Sequence, residues 1–360
     1  MAKAAKRGLD ERPQDDAHHP YAFHVSGPRN FSLSWRDLLN SSWKDENYKR
    51  IVIACFIQAV YLLELDKQEN RTKENALAPN WWIPFKYKLT QTLIDERDGS
   101  IFGAIFEWDQ RAAMADLLLA RPSGAPRAVL ALRGTLLKTP TIRRDIEDDL
   151  RFLAWESLKG SSRFKLALEV LKSVSKKYGS SNVCIAGHSL GAGFALQVGK
   201  ALAKERIYVE THLFNPPSVS LAMSLRYMGK KAESIWKRLK LMLPSSSVEG
   251  KTLSEGLSHQ STSLNTSGSG LGKWIPYLYV NDSDYICCYY TSPDDVKGSM
   301  GISNGQVLAK MFVVSKEKQK FLEAHGLAQW WSSDAELQLA IQNSKLISRQ
   351  LRSLYMVATS

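Results

Sequence analysis

The sequence predicts an α/β fold, a mostly parallel central sheet flanked by helices. Three observations predict it. Short apolar runs alternate with longer stretches of helical periodicity along most of the chain. One of those runs passes directly into Gly187-His188-Ser189-Leu190-Gly191 and then into a stretch rich in small residues. The 360 residues are 44% hydrophobic, enough to bury a large core, which excludes intrinsic disorder for most of the chain.

Taken in order, residues 1–28 read as a polar tail ahead of one domain over 29–360. Residues 45–67 read as a helix, with Ile51, Ala54, Cys55, Ala59, Leu62 and Leu63 at helical spacing. Asn80-Trp81-Trp82-Ile83-Pro84 breaks that pattern. Strands are expected at 100–107, 127–132, 182–186, 208–214, 274–280 and 307–314, and helices between them at 141–157, 164–177, 190–206 and 221–243. An insertion is expected over 218–273. Its Ser-, Thr- and Gly-rich part, about 244–272, reads as a mobile loop.

Lys plus Arg is 48 against 36 Asp plus Glu, a formal charge of +12. That surplus favours anionic surfaces. No basic-aromatic recognition motif points to nucleic acid. The longest apolar stretch, 51–63, is shorter than the roughly 20 residues that span a bilayer. No secretory signal is visible at the N-terminus, so a cytoplasmic protein is expected, with peripheral membrane contact at most. Cys55, Cys184, Cys287 and Cys288 have no CxxC spacing, which argues against both a zinc site and a disulfide framework. No phosphate-binding glycine loop is present, so no cofactor and no metal are expected.

Chemistry concentrates at Ser189. Gly-x-Ser-x-Gly between a strand and a helix is the pattern of a nucleophile elbow, in which Gly187 and Gly191 allow a turn too tight for side chains. A serine hydroxyl needs a base, and the base needs an orienting carboxylate. In such a fold the chain order is serine, acid, histidine. Of the histidines that follow at a distance, His212 lies within a strand and His259 within the Ser-rich loop. His325, expected in a loop before Gly326, is the base by elimination. His188, beside the nucleophile, reads as structural. The acid is expected in the turn after 274–280, where spacing leaves Asp282 and Asp284 nearly even. Oxyanion donors are expected at Leu190, after the nucleophile, and at Thr135, after the strand 127–132. Arg133 reads as a salt-bridge residue holding that loop.

These residues together resemble the class 3, fungal-lipase-like family of α/β-hydrolases, in a divergent plant-type subgroup. The resemblance runs from residue 125 to 325. It rests on Leu132-Arg133-Gly134-Thr135, on Asp145-Ile146-Glu147-Asp148-Asp149-Leu150, on the elbow, and on Val280-Asn281-Asp282-Ser283-Asp284. The last segment resembles the family's acid turn and implies Asp284 as the acid. The resemblance implies an α/β-hydrolase fold, with acyl-enzyme chemistry on Ser189, and a lipid ester as substrate, as for a triacylglycerol lipase. Some plant relatives are named GDSL esterase/lipase, although Gly-Asp-Ser-Leu is absent from this chain. The chain departs from the family at Ile146, where Trp is usual, and at Phe214-Asn215-Pro216-Pro217, where Phe-Gly-x-Pro-Arg is usual. Both departures read as changes to the acyl pocket or lid.

Two segments bear on access. Residues 141–157 read as a lid, with an apolar face from Ile142, Ile146, Leu150, Phe152, Leu153 and Trp155 and hinges near 139–141 and 160–162. Residues 221–243 read as a basic amphipathic helix, suited either to packing on the sheet or to lying on an anionic bilayer. A silent hydrolase-fold scaffold and an acyltransferase are the alternatives to a hydrolase. Oligomeric state is not legible.

Overall fold

The computed structural model describes residues 43–115, 121–136, 161–217, 273–284, 286–287, 290, 309–314 and 319–331. The expected tail 1–28, the lid 141–157, the basic helix 221–243 and the loop 244–272 lie outside the described residues. Among the described residues seven strands form one sheet in chain order: β1 Tyr87–Ile94, β2 Ile101–Trp108, β3 Ala128–Leu132, β4 Val183–His188, β5 Glu210–Phe214, β6 Tyr277–Asn281 and β7 Lys310–Val314. β1 with β2 and β2 with β3 pair antiparallel, and every pairing from β3 to β7 is parallel. The helices are α1 Glu46–Gln68, α2 Gln110–Ala115, α3 Ser162–Tyr178, α4 Leu190–Lys204, α5 Phe321–His325 and α6 Ala328–Trp331. This is the α/β-hydrolase arrangement of a mostly parallel sheet with helices on both faces.

The strands sort their side chains by the two-residue period of a pleated chain. Leu130, Leu132, Ile185, Leu213, Leu278, Val280 and Met311 face one core, which α3 and α4 cover. Val129, Ala131, Cys184, Ala186, Phe214, Tyr279 and Phe312 face the other, which α1 covers. Strands buried on both faces read as continuous apolar runs rather than alternating ones. That makes β2 to β7 conspicuous in the sequence.

Helix α1 begins where the spacing predicts. Asp45 caps it, accepting from the Asn47 N–H at 2.9 Å. It is buried on almost every side rather than along one stripe, because the sheet lies on one flank while Ala78, Trp81 and Trp330 pack around it. Ser161 caps α3, its hydroxyl accepting from the Phe164 N–H. Ser161 and Ser162, within the expected far hinge at 160–162, sit at the start of this helix.

Strand β1 escapes the sequence reading. It is an edge strand, half exposed, and its register slips between Leu89 and Gln91 and again between Leu93 and Ile94. Each slip breaks the alternation by which a half-buried strand is recognised.

One aromatic stack carries the fold to the site. Phe214, Tyr279 and Phe312, on three adjacent strands, stack with centroids 4.3 and 4.8 Å apart. Trp330 of α6 stands edge-on to Phe214 and Tyr279. Buried rings in such offset and edge contacts contribute about 1 kcal/mol each beyond their area. The stack fixes Trp330 beneath the end of β5.

Candidate active site

Strand β4 ends at His188, Ser189 makes the turn, and α4 starts at Leu190. Ser189 sits at φ 53° and ψ −126°. Side chains rarely adopt that region, and holding one there costs about 1–3 kcal/mol. Packing holds it. A Cβ on Gly187 would lie 2.2 Å from the Gly191 carbonyl oxygen, and one on Gly191 would lie 2.5 Å from the Leu132 and Arg133 carbonyl oxygens. The Ser189 N–H donates to the Phe214 carbonyl of the neighbouring strand at 3.0 Å.

The three expected side chains meet. His325 Nε2 is 3.0 Å from Ser189 Oγ, and His325 Nδ1 is 2.9 Å from Asp284 Oδ2. A carboxylate only accepts, so Nδ1 carries the imidazole proton and Nε2 offers its lone pair to the serine. Asp284 is fully buried. Its Oδ1 accepts from the Ile286 N–H, and its Oδ2 also faces Asn215 Nδ2 and Cys287 Sγ. Asp282 is exposed, two residues away, its own N–H turned back to the Val314 carbonyl. Spacing leaves these aspartates even; burial separates them. His325 is the last residue of the short helix α5 rather than part of a loop, with Gly326 directly after it.

The edge expected to bind an oxyanion abuts the serine. A Cβ on Gly134 would lie 2.8 Å from Ser189 Cβ, and Thr135 follows it, partly buried. Leu190 is the first residue of a 15-residue helix, so its N–H belongs to the unpaired, positive end. Arg133, expected to hold this loop, donates to carbonyls at the strand end, Nε to Ile101 at 2.6 Å and Nη1 to Gly134 at 2.8 Å.

A directed chain of hydrogen bonds runs behind the site. The Gly134 N–H donates to the Tyr61 hydroxyl oxygen at 2.8 Å, and that hydroxyl lies 2.8 Å from His188 Nδ1. His188 Nε2 lies 2.8 Å from the His325 carbonyl. The carbonyl can only accept, so His188 carries its proton on Nε2 and Tyr61 donates to Nδ1. His188 is thus structural as expected, but it grips the backbone of His325 itself. Sequence reasoning misses Tyr61, which α1 delivers from more than a hundred residues away.

Burial, and then the neighbouring His325, lower His188 from its ordinary 6.5 to about 3. His212, buried in β5 between Glu210 and the Tyr279 hydroxyl, is lowered too, burial again being the largest cause. Both are therefore neutral in the folded chain at neutral pH and would take up protons below 6.5 once unfolded. Stability is lost as pH falls below 6.5, and for His188 the loss keeps growing until about pH 3. By pH 5 the His188 share is about 2 kcal/mol. Urea unfolding at pH 7 and pH 5 should show this loss, and His188→Gln should flatten the difference. A wild-type midpoint that does not move between those pH values would contradict it.

At the departure, Phe214 is buried in the aromatic stack, and Asn215 touches Asp284. Cys55, Cys184 and Cys287 are buried free thiols. No helix among the described residues is long and apolar enough to cross a membrane.

No family model matches the chain. A protein of Arabidopsis thaliana named GDSL esterase/lipase is 28% identical over an alignment 351 residues long, which covers 89% of this chain and 99% of that protein. Among solved structures, a lipase from Rhizopus microsporus var. chinensis is similar at a TM-score of 0.34 and 11% identity, over 72% of each chain. A structure from work on two fungal esterases of Rhizomucor miehei is similar at 0.31 and 15% identity, over 75% of this chain and 83% of that one.

Proposed function

We propose that this chain is a serine hydrolase of carboxylic esters, acting through an acyl-enzyme on Ser189. His325 Nε2 takes the Ser189 proton as Oγ attacks the ester carbonyl. The carbonyl oxygen, now negative, is received by the N–H groups of Leu190 and Thr135. Asp284 stabilises the imidazolium that forms. The intermediate collapses, His325 returns the proton to the leaving alkoxide, and an alcohol departs. Water then attacks the acyl-enzyme by the same route, releasing the acid and restoring Ser189.

One observation carries this reading: His325 bridges Ser189 and Asp284 at 3.0 and 2.9 Å, with Ser189 held in a backbone region that its packing enforces. The name of the Arabidopsis relative supports ester cleavage. The substrate is read as a lipid ester of the triacylglycerol-lipase kind, with the chain a divergent member of the class 3 family. The family motifs in the sequence support that finer reading, and the charge of +12 supports work at an anionic lipid surface.

The test is labelling by a fluorophosphonate probe with peptide mapping, run beside hydrolysis of p-nitrophenyl esters of rising chain length. Labelling on the peptide that contains Ser189, with turnover that grows on long-chain esters, is expected. Absence of labelling would reduce the chain to a hydrolase-shaped scaffold, and turnover confined to short esters would remove the lipid from the reading.

A further inference from the structure

Asn215 is the residue at which the sequence departs from the glycine usual in similar chains, and the structure gives it an unusual set of contacts. It is fully buried at φ 46°, in the left-handed region that glycine occupies without cost and asparagine tolerates. Its Nδ2 lies 2.7 Å from Asp284 Oδ2 and 3.0 Å from the Ala324 carbonyl, with Cys287 Sγ at 3.6 Å. Its Oδ1 lies 2.5 Å from Trp330 Nε1. The amide cannot be turned over. Carboxylate and carbonyl only accept and the indole N–H only donates, so nitrogen must face Asp284 and oxygen must face Trp330.

Three pieces of the site converge on this one side chain. Asp284 is the acid, Ala324 immediately precedes His325, and the residue before Asn215 is Phe214, whose carbonyl holds the Ser189 N–H. The Asn215 N–H is itself fixed to the Tyr279 carbonyl at 2.8 Å. The aromatic stack fixes Trp330, and through it the plane of the amide.

We propose that Asn215 is a positioning residue of this site, which locks Asp284 and the His325 segment together and draws negative charge from the carboxylate oxygen that His325 uses. The proposal rests on the serine-hydrolase reading above. Its chemistry follows from Oδ2 of Asp284 serving two strong donors at once, His325 Nδ1 and Asn215 Nδ2. A donor that shares the carboxylate's charge weakens its support of the imidazolium, and removing that donor strengthens it. The titratable groups facing this pair, among the described residues, are His188, its ring 5.0 Å from that of His325, and Cys287, its Sγ 3.1 Å from Asp284. Cys287 Sγ also lies 3.6 Å from Asn215 Nδ2, whereas the ring nitrogens of His188 meet Tyr61 and the His325 carbonyl.

The variant Asn215→Gly removes the amide and keeps the backbone conformation. With a short soluble p-nitrophenyl ester, its plateau kcat/KM should fall about tenfold, with kcat bearing the loss. The acidic limb of its pH–rate profile should move to higher pH by about half a unit or more. Trp330→Phe, which removes the donor that fixes the amide oxygen but leaves the amide present, should move the limb the same way by less, and serves if the glycine variant does not fold. The limb of fluorophosphonate labelling at Ser189 should follow. A limb that stays in place or moves down, whatever happens to thermal stability, would overturn the proposal and make Asn215 a packing residue. Failure of the wild type to label would instead sink the serine-hydrolase reading, and this inference with it.

Discussion

Ser189→Ala should lower ester turnover by about five orders of magnitude while leaving the fold intact. The size follows from what one atom does. In the proposed mechanism Oγ forms the bond to the acyl carbon, and neither His325 nor the Leu190 and Thr135 N–H groups can replace it. What survives is the oxyanion edge and substrate binding, which still leaves some acceleration over water. Stability should change by no more than about 1 kcal/mol. The hydroxyl lost is partly exposed, so water can take its place on His325 Nε2. Ser189→Gly separates the chemical role from the backbone one. At a helix N-cap glycine is preferred to alanine, and at φ 53° it also relieves strain that alanine keeps. The glycine variant should thus be as inactive as the alanine one and at least as stable. Turnover of either variant within about tenfold of wild type would move the nucleophile elsewhere, and mapping the labelled peptide would show where.

How much of this was legible beforehand follows from how each group is encoded. The parallel strands announce themselves because burial on both faces makes them continuous apolar runs, and the elbow announces itself because its packing admits only glycine at 187 and 191. His325 could be reached by elimination, since the chain holds 7 histidines and few follow Ser189. Other parts are long-range and leave no local pattern. Tyr61 is one apolar-face residue among many in α1, and nothing near it in sequence says that its hydroxyl meets Gly134 and His188. Asn215 was visible as a departure, but its position beside Asp284 depends on β5 and β6 being neighbours. Strand β1 was hidden by its two register slips. The choice between Asp282 and Asp284 is likewise one of burial, which two residues of spacing do not encode.

Replacing those two aspartates should therefore give unequal results. Asp284→Asn should cost about 10³- to 10⁴-fold in kcat, and Asp282→Asn less than about twofold. Asp284 accepts from the Ile286 N–H on Oδ1, and on Oδ2 from His325, Asn215 and Cys287. An asparagine there has one accepting oxygen and one donating nitrogen. If its nitrogen faces His325 and Asn215, donors oppose donors and the imidazole is pushed toward the wrong tautomer, with its proton on Nε2 facing Ser189. If its nitrogen faces Ile286 instead, His325 keeps an acceptor but loses the charge that stabilises the imidazolium. Either arrangement strands a buried donor at about 1–3 kcal/mol, so thermal stability should fall as well. Asp282 is exposed and its side chain stands outside these bonds, so neither loss applies. Steady-state kinetics and thermal unfolding of the two variants, side by side, decide the matter. Equal impairment would mean that the turn at 281–284 acts as a unit, and the reverse order would make Asp282 the acid, with the bond from His325 to Asp284 reduced to a contact.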